Sequence, residues 1–74
     1  MRITVKLFAY FRDGRFKTAE REYLPGTTVG SIVNGLGISQ DEVGVLMLNS
    51  RHCEFTSRPN EGDALAIFPV IGGG

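Results

Sequence analysis

The sequence has one cysteine, no surplus of either charge and no long apolar run, and each absence excludes a class of function. Cys53 alone cannot form an internal disulfide, which indicates a reducing compartment. Eight basic and eight acidic residues cancel, whereas nucleic-acid binding requires a clustered positive surplus. No stretch approaches 18 apolar residues, and the start does not resemble a signal peptide. We therefore expect a cytoplasmic protein whose partners are neither nucleic acid nor membrane.

Two kinds of chemical site are also missing from the sequence. His52 and Cys53 are adjacent, but no further ligand follows at zinc spacing, and neighbours in a strand point to opposite faces. A phosphate-binding glycine loop is absent. We therefore expect no metal site, no catalytic Cys–His pair and no binding of ATP by this chain alone. Seventy-four residues, of which 42% are apolar and 22% charged, predict one small globular domain over residues 1–74.

The first 24 residues predict a β-hairpin. Apolar and polar side chains alternate over residues 2–8, which is the period-two pattern of a half-buried strand. An Asp-Gly pair predicts a turn at residues 12–15. Residues 16–24 predict a second strand, polar enough to lie at a sheet edge.

A helix is predicted next. Thr27 and Thr28 offer a hydroxyl N-cap, and Gly37 offers a C-terminal stop. Apolar residues at helical spacing form one stripe: Val29, Ile32, Val33 and Leu36.

The second half of the sequence predicts three more strands. Residues 44–49 and 64–70 are apolar on both faces, which favours a position in the middle of a sheet. Residues 52–55 predict a short return strand, and residues 56–63 a loop. One helix packed across one sheet is an α+β, two-layer arrangement. With the N- and C-terminal strands as parallel neighbours, it is the β-grasp, ubiquitin-like fold, with a mixed sheet of four to five strands.

The sequence closes on Gly72, Gly73 and Gly74, for which we predict a flexible tail over residues 71–74. Glycine has no Cβ and lets another backbone approach closely, and three extended residues span about 10 Å. Such a segment could carry a carboxylate into the active site of another protein. A frayed terminus is the alternative interpretation.

Four stretches of the sequence resemble the MoaD/ThiS family of β-grasp sulfur carriers. They are residues 6–12 (KLFAYFR), 25–29 (PGTTV), 47–51 (MLNSR) and 61–74 (EGDALAIFPVIGGG), which together span almost the whole chain. The Leu-Phe-Ala start is closer to MoaD, and the spacing of Phe68 to the terminal glycines is closer to ThiS. MoaD-like ends usually have two prolines, whereas here Val70 follows Pro69.

This resemblance implies a carrier rather than an enzyme. A ubiquitin-activating-type adenylyltransferase would couple the Gly74 carboxylate to AMP, and a sulfur donor would replace AMP to leave a thiocarboxylate. Gly72 and Gly73 would thread the partner's active site. The sulfur would pass to a pterin precursor on the molybdopterin synthase large subunit, or to a thiazole precursor on thiazole synthase. No cofactor would be bound stably, since AMP and sulfur are carried in turn at Gly74.

The resemblance also implies a docking surface on the sheet face that lies away from the helix. Four aromatic residues are candidates because they lie near the first and last strands: Phe8, Tyr10, Phe11 and Phe68. By strand alternation Phe8 falls opposite the apolar face of the first strand, so we favour Phe8, followed by Phe68, as docking residues. Core packing is the competing interpretation for any aromatic residue in a small domain.

Two other functions fit the same features. A protein modifier would use Gly74 to form an isopeptide bond with a lysine. A non-covalent β-grasp binding module would have no use for its glycine end. A free thiocarboxylate would indicate the carrier, and conjugates to other proteins would indicate the modifier. A binding module would keep its partner and its role after deletion of Gly73 and Gly74.

Overall fold

The structure is a computed structural model that describes residues 1–71 of the chain. Within these residues, one α-helix packs against a sheet of five strands. The elements are β1 (Arg2–Leu7), β2 (Thr18–Glu22), α1 (Val29–Gly35), β3 (Val43–Leu48), β4 (Arg51–His52) and β5 (Ala64–Pro69). Two 3₁₀ turns lie at Ala9–Arg12 and Gln40–Glu42.

The strands lie in the order β2-β1-β5-β3-β4. The first and last strands, β1 and β5, are parallel neighbours, and the remaining pairs are antiparallel. The predicted β-grasp arrangement is therefore confirmed. Strand β5 occupies the middle of the sheet, so the segment that leads to the terminal glycines is held by a neighbour on each side.

The hydrophobic core lies between α1 and one face of the sheet, which we call the inner face. It consists of Ile3, Val5, Leu7, Phe11, Val29, Ile32, Val33, Ile38, Leu46, Leu65 and Ile67. Each such side chain contributes roughly 1.5–3 kcal/mol when fully buried. A seven-residue helix is too short to persist alone, so this burial holds α1 in place. The predicted apolar stripe is confirmed, because its side chains are buried or pack against the core. The Thr28 N-cap is also confirmed, because Thr28 Oγ1 accepts a hydrogen bond from the Ser31 N–H.

The predicted second strand was too long. It covers Thr18–Glu22 rather than residues 16–24, and the chain reaches it through the 3₁₀ turn at Ala9–Arg12 instead of a tight hairpin. Arg15 is the physical reason for the later start, because its guanidinium donates to three backbone oxygens. Nε donates to Leu36 O at 2.8 Å, Nη2 to Gly37 O at 3.1 Å and Nη1 to Phe11 O at 3.0 Å. These bonds tie the connection to the C-terminal end of α1.

The short return strand was predicted one residue late at its start and three residues late at its end. It is Arg51–His52 rather than residues 52–55, and it pairs with the end of β3 through a turn in which Asn49 and Ser50 have positive φ. Beyond it the backbone turns towards the helix, where Phe55 O accepts a hydrogen bond from the Gly30 N–H at 2.8 Å. Pairing with the helix therefore ends the strand.

Candidate functional site

The sheet face opposite α1, which we call the outer face, carries an apolar surface near the end of β5. Val45 of β3 lies beside Phe68, and Met47 lies beside Ala66. Along β5, Phe68 and Ala66 are half-buried and alternate with the buried Leu65 and Ile67. The helix covers only the inner face, so strands that are apolar on both faces leave their outer side chains open to solvent.

Phe8 and Phe68 form the centre of this surface. Their rings stack with centroids 4.1 Å apart and planes 12° from parallel. Arg12 reinforces the pair, because its guanidinium carbon lies 5.3 Å from the Phe8 ring centroid and its Nε donates to Leu7 O at 2.7 Å. An aromatic pair held in this way is rigid and needs little ordering when a partner binds.

A groove runs from this aromatic pair towards the end of the chain. It is lined mainly by apolar side chains, including Val45, Met47, Phe68, Val70 and Ile71, with His52 at one side. We refer to this groove together with the stacked rings of Phe8 and Phe68 as the apolar surface. Arg12 gives part of its margin a positive charge.

The last described residues leave the sheet at the edge of the apolar surface. The Val70 N–H donates to Glu42 O at 2.9 Å, while the side chains of Val70 and Ile71 are 59% and 77% exposed. Val70 and Ile71 therefore face solvent directly after the central strand of the sheet. Gly72, Gly73 and Gly74, which the sequence interpretation makes the reactive segment, lie outside the described residues.

The four candidate aromatic residues separate into two groups. Phe8 and Phe68 meet on the outer face, and their role in docking stays a prediction. Phe11 is 1% exposed and belongs to the core. Tyr10 packs edge-on against Phe11 with centroids 5.1 Å apart and is 47% exposed. Alternation located Phe8 correctly, but the 3₁₀ turn that follows β1 does not obey the strand period, so it gave no guidance for Phe11.

Sequence reasoning missed Val45, Met47 and His52 as members of the apolar surface. A signal was present, since residues 44–49 were recognised as apolar on both faces. A single helix can cover only one face of a sheet, so the second apolar face of β3 had to remain at the surface.

The adjacent His52 and Cys53 differ in their main surroundings. His52 lines the groove, whereas Cys53 is half-buried and packs against the core. Burial, and secondarily the charge of Glu54, raises the pKa of the Cys53 thiol above its ordinary value, which disfavours the reactive thiolate. Among residues 1–71, no three His, Cys, Asp or Glu side chains are grouped to hold a metal ion. Over the same range, no helix has the length and apolar character to span a membrane.

The chain matches solved structures over nearly its whole length. The small archaeal modifier protein 1 of Haloferax volcanii is 22% identical, with a TM-score of 0.76 over 95% of this chain and 98% of that one. A Pyrococcus furiosus protein described as subunit 1 of a molybdopterin converting factor is 20% identical, with a TM-score of 0.78 over 96% and 99%. At these identities the likeness establishes the fold.

Two further comparisons complete the assignment. A structure of the complex between subunits 1 and 2 of the Helicobacter pylori molybdopterin-converting factor matches at 17% identity and a TM-score of 0.67, over all of this chain and all of the matched one. No protein of curated function matches this chain in sequence. The family model described as Mut7-C ubiquitin matches residues 2–72. The chain therefore belongs to the Mut7-C ubiquitin family and has the β-grasp, ubiquitin-like fold.

Proposed function

We propose that this protein is a ubiquitin-like sulfur carrier whose Gly74 carboxylate is adenylated and then converted to a thiocarboxylate. The observation that carries the proposal is the exit of the chain from the central strand. Val70 and Ile71 are exposed beside the apolar surface, and only glycines follow in the sequence. A partner that docks on the apolar surface would find the end of the chain next to its own active site.

The chemistry needs an activating partner because a carboxylate is a poor acceptor. One Gly74 carboxylate oxygen attacks the α-phosphorus of ATP, and pyrophosphate leaves. A sulfide-level donor then attacks the acyl carbon, and AMP leaves with that oxygen. The net change replaces one carboxylate oxygen by sulfur. The carrier supplies no catalytic group in these steps, and Gly72 and Gly73 allow the partner's active site to close around a bare backbone.

The apolar surface supports the proposal that the partner is a protein. Aromatic anchors with surrounding apolar contacts are typical of the residues that dominate binding energy at interfaces. The Helicobacter pylori structure is a complex of subunit 1 with subunit 2, and it supports an equivalent second subunit here. We infer two partners that use the surface in turn, an adenylyltransferase in the cytoplasm and a synthase subunit that accepts the sulfur for a pterin or a thiazole precursor.

The likeness to a small archaeal modifier protein favours one second candidate. In that function the same adenylated Gly74 would be attacked by a lysine amine of another protein, and AMP would leave as an isopeptide bond formed. Both functions share the fold, the activation step and the apolar surface. They differ only in the nucleophile that removes AMP.

Intact-mass analysis of the protein isolated from its native host tests the proposal. We expect a fraction of the chains to end at Gly74 and to be heavier by the mass difference between sulfur and oxygen. Iodoacetamide should alkylate this fraction at the C-terminus, because a thiocarboxylate is a far better nucleophile than a carboxylate. The matched control is a chain that ends at Ile71, which keeps all described elements and should show no such fraction.

The same experiment separates the alternatives. Branched peptides that join Gly74 to lysines of other proteins, without the sulfur-containing form, would identify a modifier. A chain that ends at Gly74 and carries neither change, from cells that are making sulfur-containing cofactors, would contradict both functions. Mature protein that continues beyond Gly74 would also contradict them.

A further inference from the structure

An extra residue interrupts the pairing of β3 with β5 where the chain leaves the sheet. Val45 lies opposite Phe68 and Val43 lies opposite Pro69, so two steps along β3 correspond to one step along β5. Gly44 is the additional residue of this β-bulge. Bulges bend a strand, re-aim its side chains and recur beside functional sites.

The bulge changes which face the neighbouring side chains occupy. Val45 belongs to the exposed outer face, and in a regular strand Val43 would share that face. With Gly44 inserted, Val43 instead packs against the core. The bulge therefore lets β3 contribute both to the core and to the apolar surface within three residues.

The backbone of β5 lies almost on top of Gly44. A Cβ at this position would be 2.8 Å from Pro69 O, 3.0 Å from Val70 Cα and 3.1 Å from the Pro69 carbonyl carbon. All three atoms belong to the backbone and cannot rotate away as the end of a side chain could. The φ of Gly44 is not in the left-handed region, so the requirement for glycine here is one of space.

This close approach lies next to the last hydrogen bond of the strand. Pro69 has no N–H, so the Val70 N–H is the amide that follows Phe68, and it donates to Glu42 O at 2.9 Å. The bond to Glu42, the pairing of Val43 with Pro69 and the bulge together fix the position and the orientation of Pro69 and Val70 relative to β3. The direction of Val70 and Ile71 relative to the sheet follows from that orientation.

We propose that Gly44 is a positioning residue that sets the direction in which the C-terminal segment leaves the sheet. The proposal deepens the carrier function and rests on it for its effect on activity. A side chain at residue 44 would push Pro69 and Val70, which line one end of the groove, away from β3. The stacked rings of Phe8 and Phe68 would keep their place as the docking anchors. The end of the chain would then approach the partner's active site along the wrong line, and a displacement of about 1 Å can reduce the rate of a reaction on the order of 100-fold.

The test compares Gly44→Ala with Gly35→Ala. The second substitution is the matched control, because a Cβ on Gly35 meets nothing within 4 Å and its φ is not positive. Two readouts concern the chain itself: hydrogen exchange of the Val70 amide, and the orientation of the Ile71 N–H relative to the sheet from residual dipolar couplings. A third is ATP–pyrophosphate exchange with the adenylyltransferase of the same organism, analysed for kcat and KM separately.

We expect Gly44→Ala to speed Val70 amide exchange at least about tenfold while the Leu65 and Ile67 amides stay protected. The Ile71 N–H should be reoriented, and kcat should fall at least about tenfold with KM within about threefold. Gly35→Ala should behave as the wild type in all three readouts.

An unchanged Val70 exchange rate and Ile71 orientation in Gly44→Ala would overturn the proposal, as would a rise in KM with kcat preserved. If Gly44→Ala fails to fold, hydrogen exchange in the wild-type protein decides. An unprotected Val70 amide in the wild type would overturn the proposal, and a protected Val70 amide would support it. A wild-type protein that supports no pyrophosphate exchange would refute the carrier function instead, and the two readouts on the chain would still decide the role of Gly44.

Discussion

The two ends of β5 are held in different ways. At the start, Asn49 Nδ2 donates to Asp63 Oδ1, and the Ala64 N–H donates to Asn49 Oδ1, both at 2.9 Å. The Asn60 N–H donates to Asp63 Oδ2 at 2.8 Å, and the Thr4 N–H donates to Asp63 O at 3.0 Å. At the other end, the Val70 N–H makes one backbone bond, and the next side chain is exposed.

This difference separates stability from activity along one strand. The start of β5 fixes the register of β1, β3 and β5 through side chains that stay in the fold. Beyond the end of β5, Val70 and Ile71 are exposed and contribute little buried surface, and in the proposed function this segment presents the chain to a partner. Substitutions at the start should therefore reduce stability, and substitutions beyond the end should reduce activity.

The largest effect is expected from a side chain within the glycine segment. Gly73→Val should lower the rate of adenylation by about 100-fold or more, because a branched side chain would obstruct a channel shaped for bare backbone and displace the carboxylate. The midpoint of thermal unfolding should stay unchanged, since the core lies in residues 3–67. Pyrophosphate exchange and thermal unfolding measure the two effects. Equal activity of Gly73→Val and wild type would contradict the proposed carrier.

The next largest effect is expected at the apolar surface. Phe68→Ala should weaken binding of the adenylyltransferase by about 30-fold, the equivalent of a hot-spot residue worth about 2 kcal/mol. Its free energy of unfolding should fall by roughly 0.5–1.5 kcal/mol from loss of the Phe8 ring contact. Isothermal titration calorimetry gives the Kd. Tyr10→Ala is the control, as an exposed aromatic residue that packs on Phe11, and equal loss of affinity in both variants would remove Phe68 from the docking site.

At the start of β5, a smaller effect on stability is expected. Asn49→Ala removes the two side-chain bonds to Asp63 and Ala64 and leaves alanine at a φ of +50°, so the free energy of unfolding should fall by about 1–3 kcal/mol. The adenylation rate should match the wild type. Urea unfolding provides the measurement, with Asn34→Ala on the exposed side of α1 as the control. A loss of activity that exceeds the loss of folded protein would contradict the separation of roles.

The smallest effect is a dependence of stability on pH at Asp63. The Asn60 N–H, and then the Asn49 side chain, hold the pKa of Asp63 below its ordinary value of 3.8. A carboxyl group with a lowered pKa in the folded state stabilises the fold above the unfolded-state pKa, and this contribution is lost as pH falls through the folded-state pKa. Urea unfolding between about pH 5 and pH 2 should show a shallower decline for Asp63→Asn than for the wild type. Parallel curves would show that Asp63 does not contribute.

Much of the fold could be predicted from local patterns. Alternation in residues 2–8 and helical spacing from Val29 to Leu36 report which side chains share a face, and that information is contained in a few neighbouring residues. The predicted parallel pairing of the first and last strands was confirmed. It could be predicted because a single helix between two hairpin-like halves leaves few other arrangements. The start of the second strand was predicted too early because the connection before it is tied down by Arg15, whose acceptors at Leu36 and Gly37 are more than 20 residues away.

The candidate site was less accessible to sequence reasoning. Phe8 could be nominated from alternation, and Phe68 as an aromatic residue near the last strand. Val45 and Met47 become part of the surface only through the pairing of β3 with β5. Gly44 was interpreted as an ordinary strand residue because its contact with Pro69 and Val70 joins segments 25 residues apart. The side-chain bonds of Asn49 to Asp63 and Ala64 likewise form only when the two loops meet.

The sequence by itself determined the fold class, the core of the first and last strands, and the glycine end that suggests a carrier. These features depend on the character of consecutive side chains, which each stretch carries with it. Only the tertiary structure decided that Val45 lies beside Phe68 on the outer face, that Met47 lies beside Ala66, and that Gly44 lies against the backbone of Pro69 and Val70. These features depend on contacts between distant segments, and a single substitution can change them without altering any local pattern.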